Sequence, residues 1–275
     1  MVGLIGAGIE GSLSPALHER EADELGIRYS YELIDIDLLG VPAEAVGRLL
    51  QEARARGLRG VNVTHPCKQL VMRHLDELDA AAATVGAVNT VLFEDGRSIG
   101  HNTDWFGFEE GFNRGLPGVA LDQVVLVGAG GAGAAVAHAL LALGVRELAV
   151  VDVDLDRAEA LARPLNARAC KPQDLPALLA SADGLVNATP VGMVGHPGVP
   201  VPAELLQPPL WVADVIYRPL GTDLLRLAEE AGCRTLNGGG MAVFQAAQAF
   251  RLFTGVEPDG ERMLSHFREL TCVDR

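Results

Sequence analysis

Short apolar runs alternate with longer stretches whose apolar positions recur at helical spacing, starting almost at the first residue. Val2–Gly6, Tyr29–Ile36 and Gly60–Thr64 read as strands, and each is followed by a helical pattern, from Pro15, near 42–57 and from Pro66. That rhythm predicts parallel strands joined by crossover helices. It breaks where Ala87–Phe93 and Ser98–Asn102 flank the pair Asp95-Gly96, which predicts two shorter strands around a tight turn. From about Leu121 it restarts with strand Gln123–Gly128, a helix over 131–144, strand Glu147–Asp152, a helix over 155–163, and strands Asp183–Thr189 and Trp211–Tyr217. After Asn237-Gly238-Gly239-Gly240, the segment Met241–Gly255 has helical spacing and ends on glycine, and a last helical stretch begins at Pro258. No strand follows these helices, so they are expected to pack back on the first block. The pattern predicts a first αβ domain over 1–104, completed by 241–275, and a second over 105–240 inserted between.

Composition supports this picture. Of 275 residues, 49% are apolar and only 5% aromatic, the usage of helix-covered parallel sheets, and the length suits two modest domains. A formal charge of −14 would repel a phosphate backbone or an anionic bilayer, so neither nucleic acid nor membrane is expected as a partner. The cysteines at 67, 170, 233 and 272 lack the spacing of a metal knuckle or a redox dithiol, so reduced thiols and no metal site are expected. The start, Met1–Ser12, carries no basic region and only a short apolar stretch, so no signal peptide or anchor is expected and a cytoplasmic location follows.

The pattern G-x-G-x-x-G occurs twice, at Gly6–Gly11 and at Gly128-Ala129-Gly130-Gly131-Ala132-Gly133. A dinucleotide site also needs a preceding strand, a helix N-terminus aimed at the pyrophosphate, and an acid at the end of the next strand for the ribose. The second copy meets all three conditions, with Asp152 as the acid. A carboxylate there accepts the ribose hydroxyls of NAD and repels the 2′-phosphate of NADP, so NAD is the expected cofactor. Arg157, close by, is suited to a phosphate or to stacking on adenine. In the first copy Asp35 mimics the acid, but Ser12-Leu13-Ser14-Pro15 follows, with Ser14 as the expected cap and Pro15 opening the helix. Two hydroxyls at a helix N-terminus suit a carboxylate or a polyol better than a pyrophosphate.

In Asn62-Val63-Thr64-His65-Pro66-Cys67-Lys68 a strand delivers Asn and Thr into a loop, and Pro66 is expected to open a helix with Lys68 in its first turn. A cation is mildly unfavourable there, which invites a functional explanation against the plain alternative of a surface lysine. Gly100-His101-Asn102-Thr103-Asp104 precedes another helix, where Asp104 alone would pass for an N-cap. Oxidising an alcohol needs a base for the hydroxyl proton while hydride departs, and a Lys with an Asp supplies one.

The succession Ser12–His18, Asn62–Lys68, Gly86-Ala87-Val88-Asn89-Thr90, Gly100–Asp104, Gly128–Gly133, Asn187–Met193 and Gly240–Gln245 resembles the shikimate/quinate dehydrogenase family from end to end. The resemblance implies an α/β fold of two αβ domains flanking a cleft, an N-terminal substrate domain completed by C-terminal helices and a Rossmann-type NAD-binding domain. It implies Lys68 and Asp104 as the catalytic pair, and Ser12 and Ser14 as ligands of a substrate carboxylate. Thr64, Asn89, Asp104 and Gln245 are then expected on ring hydroxyls, with Tyr217 and Gln248 lining the same site. Thr189, Val215, Gly238 and Met241 are expected at the nicotinamide end.

NADP-using members usually carry an Asn-Arg-Thr type segment where this chain has Asp152-Val153-Asp154-Leu155-Asp156-Arg157, which looks like the NAD-linked quinate/shikimate branch. Some quinate-accepting members carry Ser-x-Thr where this chain has Ser12-Leu13-Ser14, so shikimate ranks above quinate. The expected partners are these small molecules, for a monomer or homodimer. The rival readings are an aminoshikimate or related cyclitol-carboxylate dehydrogenase and a non-catalytic NAD- or shikimate-binding sensor.

Overall fold

A computed structural model describes residues 1–272, so the last three positions of the expected first domain lie outside the described residues. The chain divides into two compact units, one of residues 1–103 with 243 onward, the other of residues 104–242. The division differs slightly from the expected 104/105 boundary, because Asp104 is already the first residue of a helix of the second unit.

The first unit runs β1 (Val2–Gly6), α1 (Ser14–Glu24), β2 (Tyr31–Asp35), α2 (Val46–Ala55), β3 (Gly60–Val63), β4 (Glu77–Leu78), α3 (Ala80–Val85), β5 (Thr90–Glu94) and β6 (Arg97–His101). The second runs α4 (Asp104–Gly115), β7 (Gln123–Val127), α5 (Gly131–Ala142), β8 (Glu147–Val151), α6 (Leu155–Ala162), β9 (Arg168–Cys170), α7 (Leu175–Leu179), β10 (Gly184–Asn187), β11 (Trp211–Asp214), α8 (Asp223–Glu230) and β12 (Arg234–Leu236). Helix α9 (Gly239–Thr254) leads back into the first unit, and α10 (Gly260–Cys272) follows it.

The first sheet has the order β2-β1-β3-β5-β6-β4. Strands β2, β1 and β3 are parallel, whereas β5 pairs antiparallel with β3 and β6. The β5–β6 turn holds Asp95 at φ 46° and Gly96 at φ 78°, the left-handed pair that the Asp-Gly signal predicts. Alternation along β1 serves two cores: Val2 and Leu4 pack with Ala249 and Phe253 of α9, while Ile5 packs with Val46, Leu49 and Leu50 of α2. Burial on both faces explains why β1 reads as a continuous apolar run. Glu21 on α1 is fully buried and accepts from Arg262 Nε at 2.9 Å and Nη2 at 2.6 Å and from the Asp259 amide at 2.7 Å, which ties α10 to α1.

The second sheet is parallel throughout, in the order β12-β11-β10-β7-β8-β9. Val124 and Leu126 of β7 face a core with Phe108, Phe112, Val136 and Leu140, and Val125 and Val127 face one with Leu175, Leu224 and Leu225. Helices therefore cover both sides.

Three local expectations are corrected. No α-helix starts at Pro66: Lys68 lies in a turn, and a short 3-10 segment follows at Leu70–His74. The Lys68 carbonyl is taken by the Val88 amide at 2.9 Å, so it is engaged outside an i to i+4 ladder. The helix-dipole argument for Lys68 falls with that helix. Asn62 is not in a loop but inside β3 opposite Thr90, where its side chain is buried. Ser14 is the first residue of α1 rather than its cap, and no side-chain capping bond is made; its amide instead donates to Ser12 Oγ at 3.3 Å. The cysteines are free, with Cys67, Cys170 and Cys233 buried and Cys272 exposed. Among the described residues no helix is long and apolar enough to cross a membrane, and no cluster of three metal-ligating side chains occurs.

Candidate active site

In an open α/β sheet, ligands bind beyond the carboxyl ends of strands at the point where strand order reverses, because the loops there diverge and leave a crevice. Each unit has such a point. In the first unit it lies between β1, which continues to β2 on one side, and β3 on the other. The two loops are laced together, with the Ala7 amide on the His65 carbonyl at 3.0 Å and the Thr64 amide on the Ile5 carbonyl at 2.9 Å. A Cβ on Gly6 would lie 2.3 Å from Thr64 Cγ2, so the first glycine of this fingerprint is set by a close approach within the protein.

The loop after β1 carries Ser12 and leads to Ser14 at the start of α1, and the loop after β3 carries Thr64 and Lys68, all half-buried. Thr90, the first residue of β5, pairs with Asn62 and with His101, so Asn89 and Asn102-Thr103 arrive at the same end. Asn89, 3% exposed, accepts from the Thr103 amide at 2.7 Å and donates to Thr103 Oγ1 at 2.9 Å, while its carbonyl takes the Val63 amide at 2.8 Å. It therefore anchors the segment leading to Asp104. His18, one turn after Ser14, is fully buried, and burial pushes it down to about 3, so His18 is neutral rather than a cation beside the serines. Gln245 and Gln248, three residues apart, share a half-buried face of α9.

Asp35 ends β2 and is spent on its own loop: Oδ2 accepts from the Ile9 amide at 2.8 Å, and Oδ1 from Gly8 and Asp37 at 3.2 and 2.9 Å. Burial would raise its carboxyl, but these backbone donors outweigh that and hold it below the ordinary carboxylate range.

In the second unit order reverses between β7 and β10. Gly128 follows β7 at φ 104°, and a Cβ on it would lie 2.8 Å from the Ala188 carbonyl and 3.0 Å from Thr189 Cγ2. A Cβ on Gly133 would lie 2.0 Å from the Gly128 carbonyl oxygen, so α5 sits on its strand as only glycine allows. The space beside Gly130 is open, and the N-terminus of α5 has no side-chain cap, which leaves amides for an anion. Asp152 is 8% exposed; its Oδ2 accepts from the Ala129 amide at 2.8 Å and its Oδ1 from Asp154 at 3.0 Å, with lone pairs remaining for hydroxyls. The exposed Arg157 guanidinium lies 4.0 Å from Asp154.

Thr189 follows β10 and Val215 follows β11 at the same end of the sheet. Gly238 lies against Val215, where a Cβ would come within 2.1 Å of the Val215 carbonyl oxygen. Met241 packs partly buried on the neighbouring core. Asp104 and the half-buried Tyr217 belong to this unit, whereas Lys68 belongs to the first. Sequence reasoning missed Asn187, Asp214 and Thr222, buried polar residues behind Thr189, although a polar residue closing each apolar run at 187 and 214 was a readable signal.

A dinucleotide loop at one switch point, and hydroxyls, an amide and a lysine at another, define a two-domain dehydrogenase that uses a nicotinamide nucleotide. Comparison with known proteins narrows the class. The family model described as shikimate dehydrogenase substrate binding domain matches residues 4–91, and that described as shikimate/quinate 5-dehydrogenase matches 113–192. A Streptomyces avermitilis shikimate dehydrogenase (NADP(+)) is 62% identical, over 98% of this chain and 95% of that protein. A Corynebacterium efficiens quinate/shikimate dehydrogenase (NAD(+)) is 46% identical over 98% of both. The solved quinate dehydrogenase from Corynebacterium glutamicum in complex with NAD has a TM-score of 0.90 at 45% identity, covering 98% of each chain. The chain belongs to the shikimate/quinate dehydrogenase family.

Proposed function

We propose that the protein oxidises the ring hydroxyl of shikimate, and of quinate less readily, to the 3-dehydro ketone, with NAD as hydride acceptor. The observation that carries the substrate half is the convergence of Ser12, Ser14, Thr64, Lys68 and Asn89 on one end of the first sheet. Ser12 and Ser14 hold the carboxylate at the N-terminus of α1. Thr64, Asn89, Asp104 and Gln245 bind ring hydroxyls, and Tyr217 and Gln248 shape the pocket. The hydroxyl proton passes to the Lys68 amine, with the Asp104 carboxylate as its partner in that transfer.

NAD fits the second unit: Gly128–Ala132 and the α5 amides hold the pyrophosphate, and Asp152 holds the ribose hydroxyls. Thr189, Val215, Gly238 and Met241 flank the nicotinamide, which supplies the hydride acceptor when bound. Asp152, Asp154 and Asp156 crowd the segment that carries Arg157, whose guanidinium lies 4.0 Å from Asp154, and that acidic balance disfavours a 2′-phosphate. A second reading, NADP as cofactor, is favoured by the 62% identical relative, a shikimate dehydrogenase (NADP(+)). Initial rates for shikimate and quinate, each with NAD and with NADP, decide between them. NAD preference of about tenfold or more in kcat/KM is expected, and comparable rates with NADP would transfer the assignment to the second reading.

A further inference from the structure

Behind the loop that carries Thr189 lies a chain of buried polar side chains. Asp214, 2% exposed, ends β11; its Oδ1 accepts from Asn187 Nδ2 at 3.0 Å and from the Ile216 amide at 3.1 Å, and its Oδ2 accepts from Thr222 Oγ1 at 2.8 Å. Asn187, fully buried at the end of β10, then turns its own Oδ1 to the Thr189 amide at 3.0 Å and to the Thr189 hydroxyl at 2.7 Å. The Thr189 oxygen in turn accepts from the Val191 amide at 3.2 Å. One carboxylate thus governs both segments: the 187–191 loop through Asn187, and the 215–216 backbone directly.

We propose that Asp214 is a positioning residue for hydride transfer, fixing through Asn187 the rotamer and height of Thr189, and through the Ile216 amide the Val215 carbonyl, on the two sides of the nicotinamide ring. This rests on the assignment of Thr189 and Val215 to the nicotinamide end. A carboxylate suits the task because it accepts from all three donors at once, while a neutral amide must turn an N–H toward one of them. Burial pushes the Asp214 carboxyl up to about 6 against the pull of its donors, so at neutral pH it is mostly the ionised acceptor. Buried charge in a dinucleotide domain is costly; through Thr222, which caps α8, Asp214 also steadies the start of that helix, and its other oxygen is left to the Thr189 and Val215 segments.

The test compares Asp214→Asn with the parent in binding of NADH and of ADP-ribose, which shares all of NADH except the nicotinamide. Asp214→Asn is expected to weaken NADH about fivefold and lower kcat about tenfold, while ADP-ribose binding stays within about twofold. Thr222→Val, which removes one donor from the far oxygen, should give the same pattern at smaller size, and Thr222→Ser should restore it; this pair keeps the test sharp if Asp214→Asn folds poorly. Equal weakening of both ligands, or no change in kcat in folded Asp214→Asn and Thr222→Val, would overturn the positioning role. A parent protein that binds ADP-ribose as tightly as NADH, with no turnover of either acid, would remove the nicotinamide from Thr189 and bring down the underlying assignment instead.

Discussion

The two glycine loops share a sequence pattern and differ in what they leave open. In both, a strand ends on a glycine loop whose amides are held by an acid from the next strand, Asp35 for Gly8 and Ile9 and Asp152 for Ala129. In the second, α5 begins at Gly131 directly after the loop, and Gly133 lets the helix pack against the Gly128 carbonyl. In the first, a further turn separates Gly6 from α1, and the helix opens on a serine followed by proline, which has no amide hydrogen to offer. The same spacing leaves uncapped helix amides after the loop in one unit and two half-buried serines in the other. What distinguishes them is the number of residues between strand end and helix start.

The sharpest way to break this division is Lys68→Ala, which should cut kcat by about a hundredfold or more while cofactor affinity is unchanged, because Lys68 lies in the first unit. Stopped-flow or steady-state rates at saturating shikimate and NAD check it, and a variant within about threefold of the parent would return Lys68 to the surface. Next comes a paired glycine test by calorimetric titration. Gly133→Ala pushes a methyl toward the Gly128 carbonyl and should raise the cofactor Kd about tenfold, whereas Gly6→Ala, pressing on Thr64, should raise the shikimate KM and spare the cofactor. Identical phenotypes from the two would erase the distinction. Asp152→Ser should narrow the ratio of NAD to NADP efficiency about tenfold by relieving charge repulsion; an unchanged ratio points to Arg157. The smallest effect is expected from Ser14→Ala, about a fivefold rise in shikimate KM with kcat little altered, since one neutral hydrogen bond is at stake.

Much of the architecture was legible because strands buried on both faces leave unbroken apolar runs, as at β1, β7 and β11, and because Asp95-Gly96 announces its hairpin. The short edge strands β4, β9 and β12, and helices α3, α7 and α8, escaped reading. Arg168-Ala169-Cys170 is too brief to show a period, and its pairing is decided by β8 beside it. The helix expected from Pro66 failed for a similar reason. Its pattern was acceptable locally, but Val88, twenty residues on, takes the Lys68 carbonyl. At the site, residue type suggested candidate side chains, whereas which ones hold others in place is decided by tertiary contacts. Asn89 tying down Thr103 and Asp214 holding the Asn187 amide are partnerships between segments that no spacing rule connects.

The interruption of one unit by the other also sets the order in which they are completed as the chain is made. Residues 104–242 form a continuous unit and can close as soon as they leave the ribosome, whereas the first 103 residues must wait for α9 to cover Val2 and Leu4 and for Arg262 to meet the buried carboxylate of Glu21. The half made first is therefore the half finished last, and it passes through synthesis with an apolar sheet face uncovered and a helix carrying an uncompensated acid. Nascent chains stalled before Arg262 are the species most in need of a chaperone, and protease protection of the later unit should be acquired earlier than that of the unit encoded ahead of it.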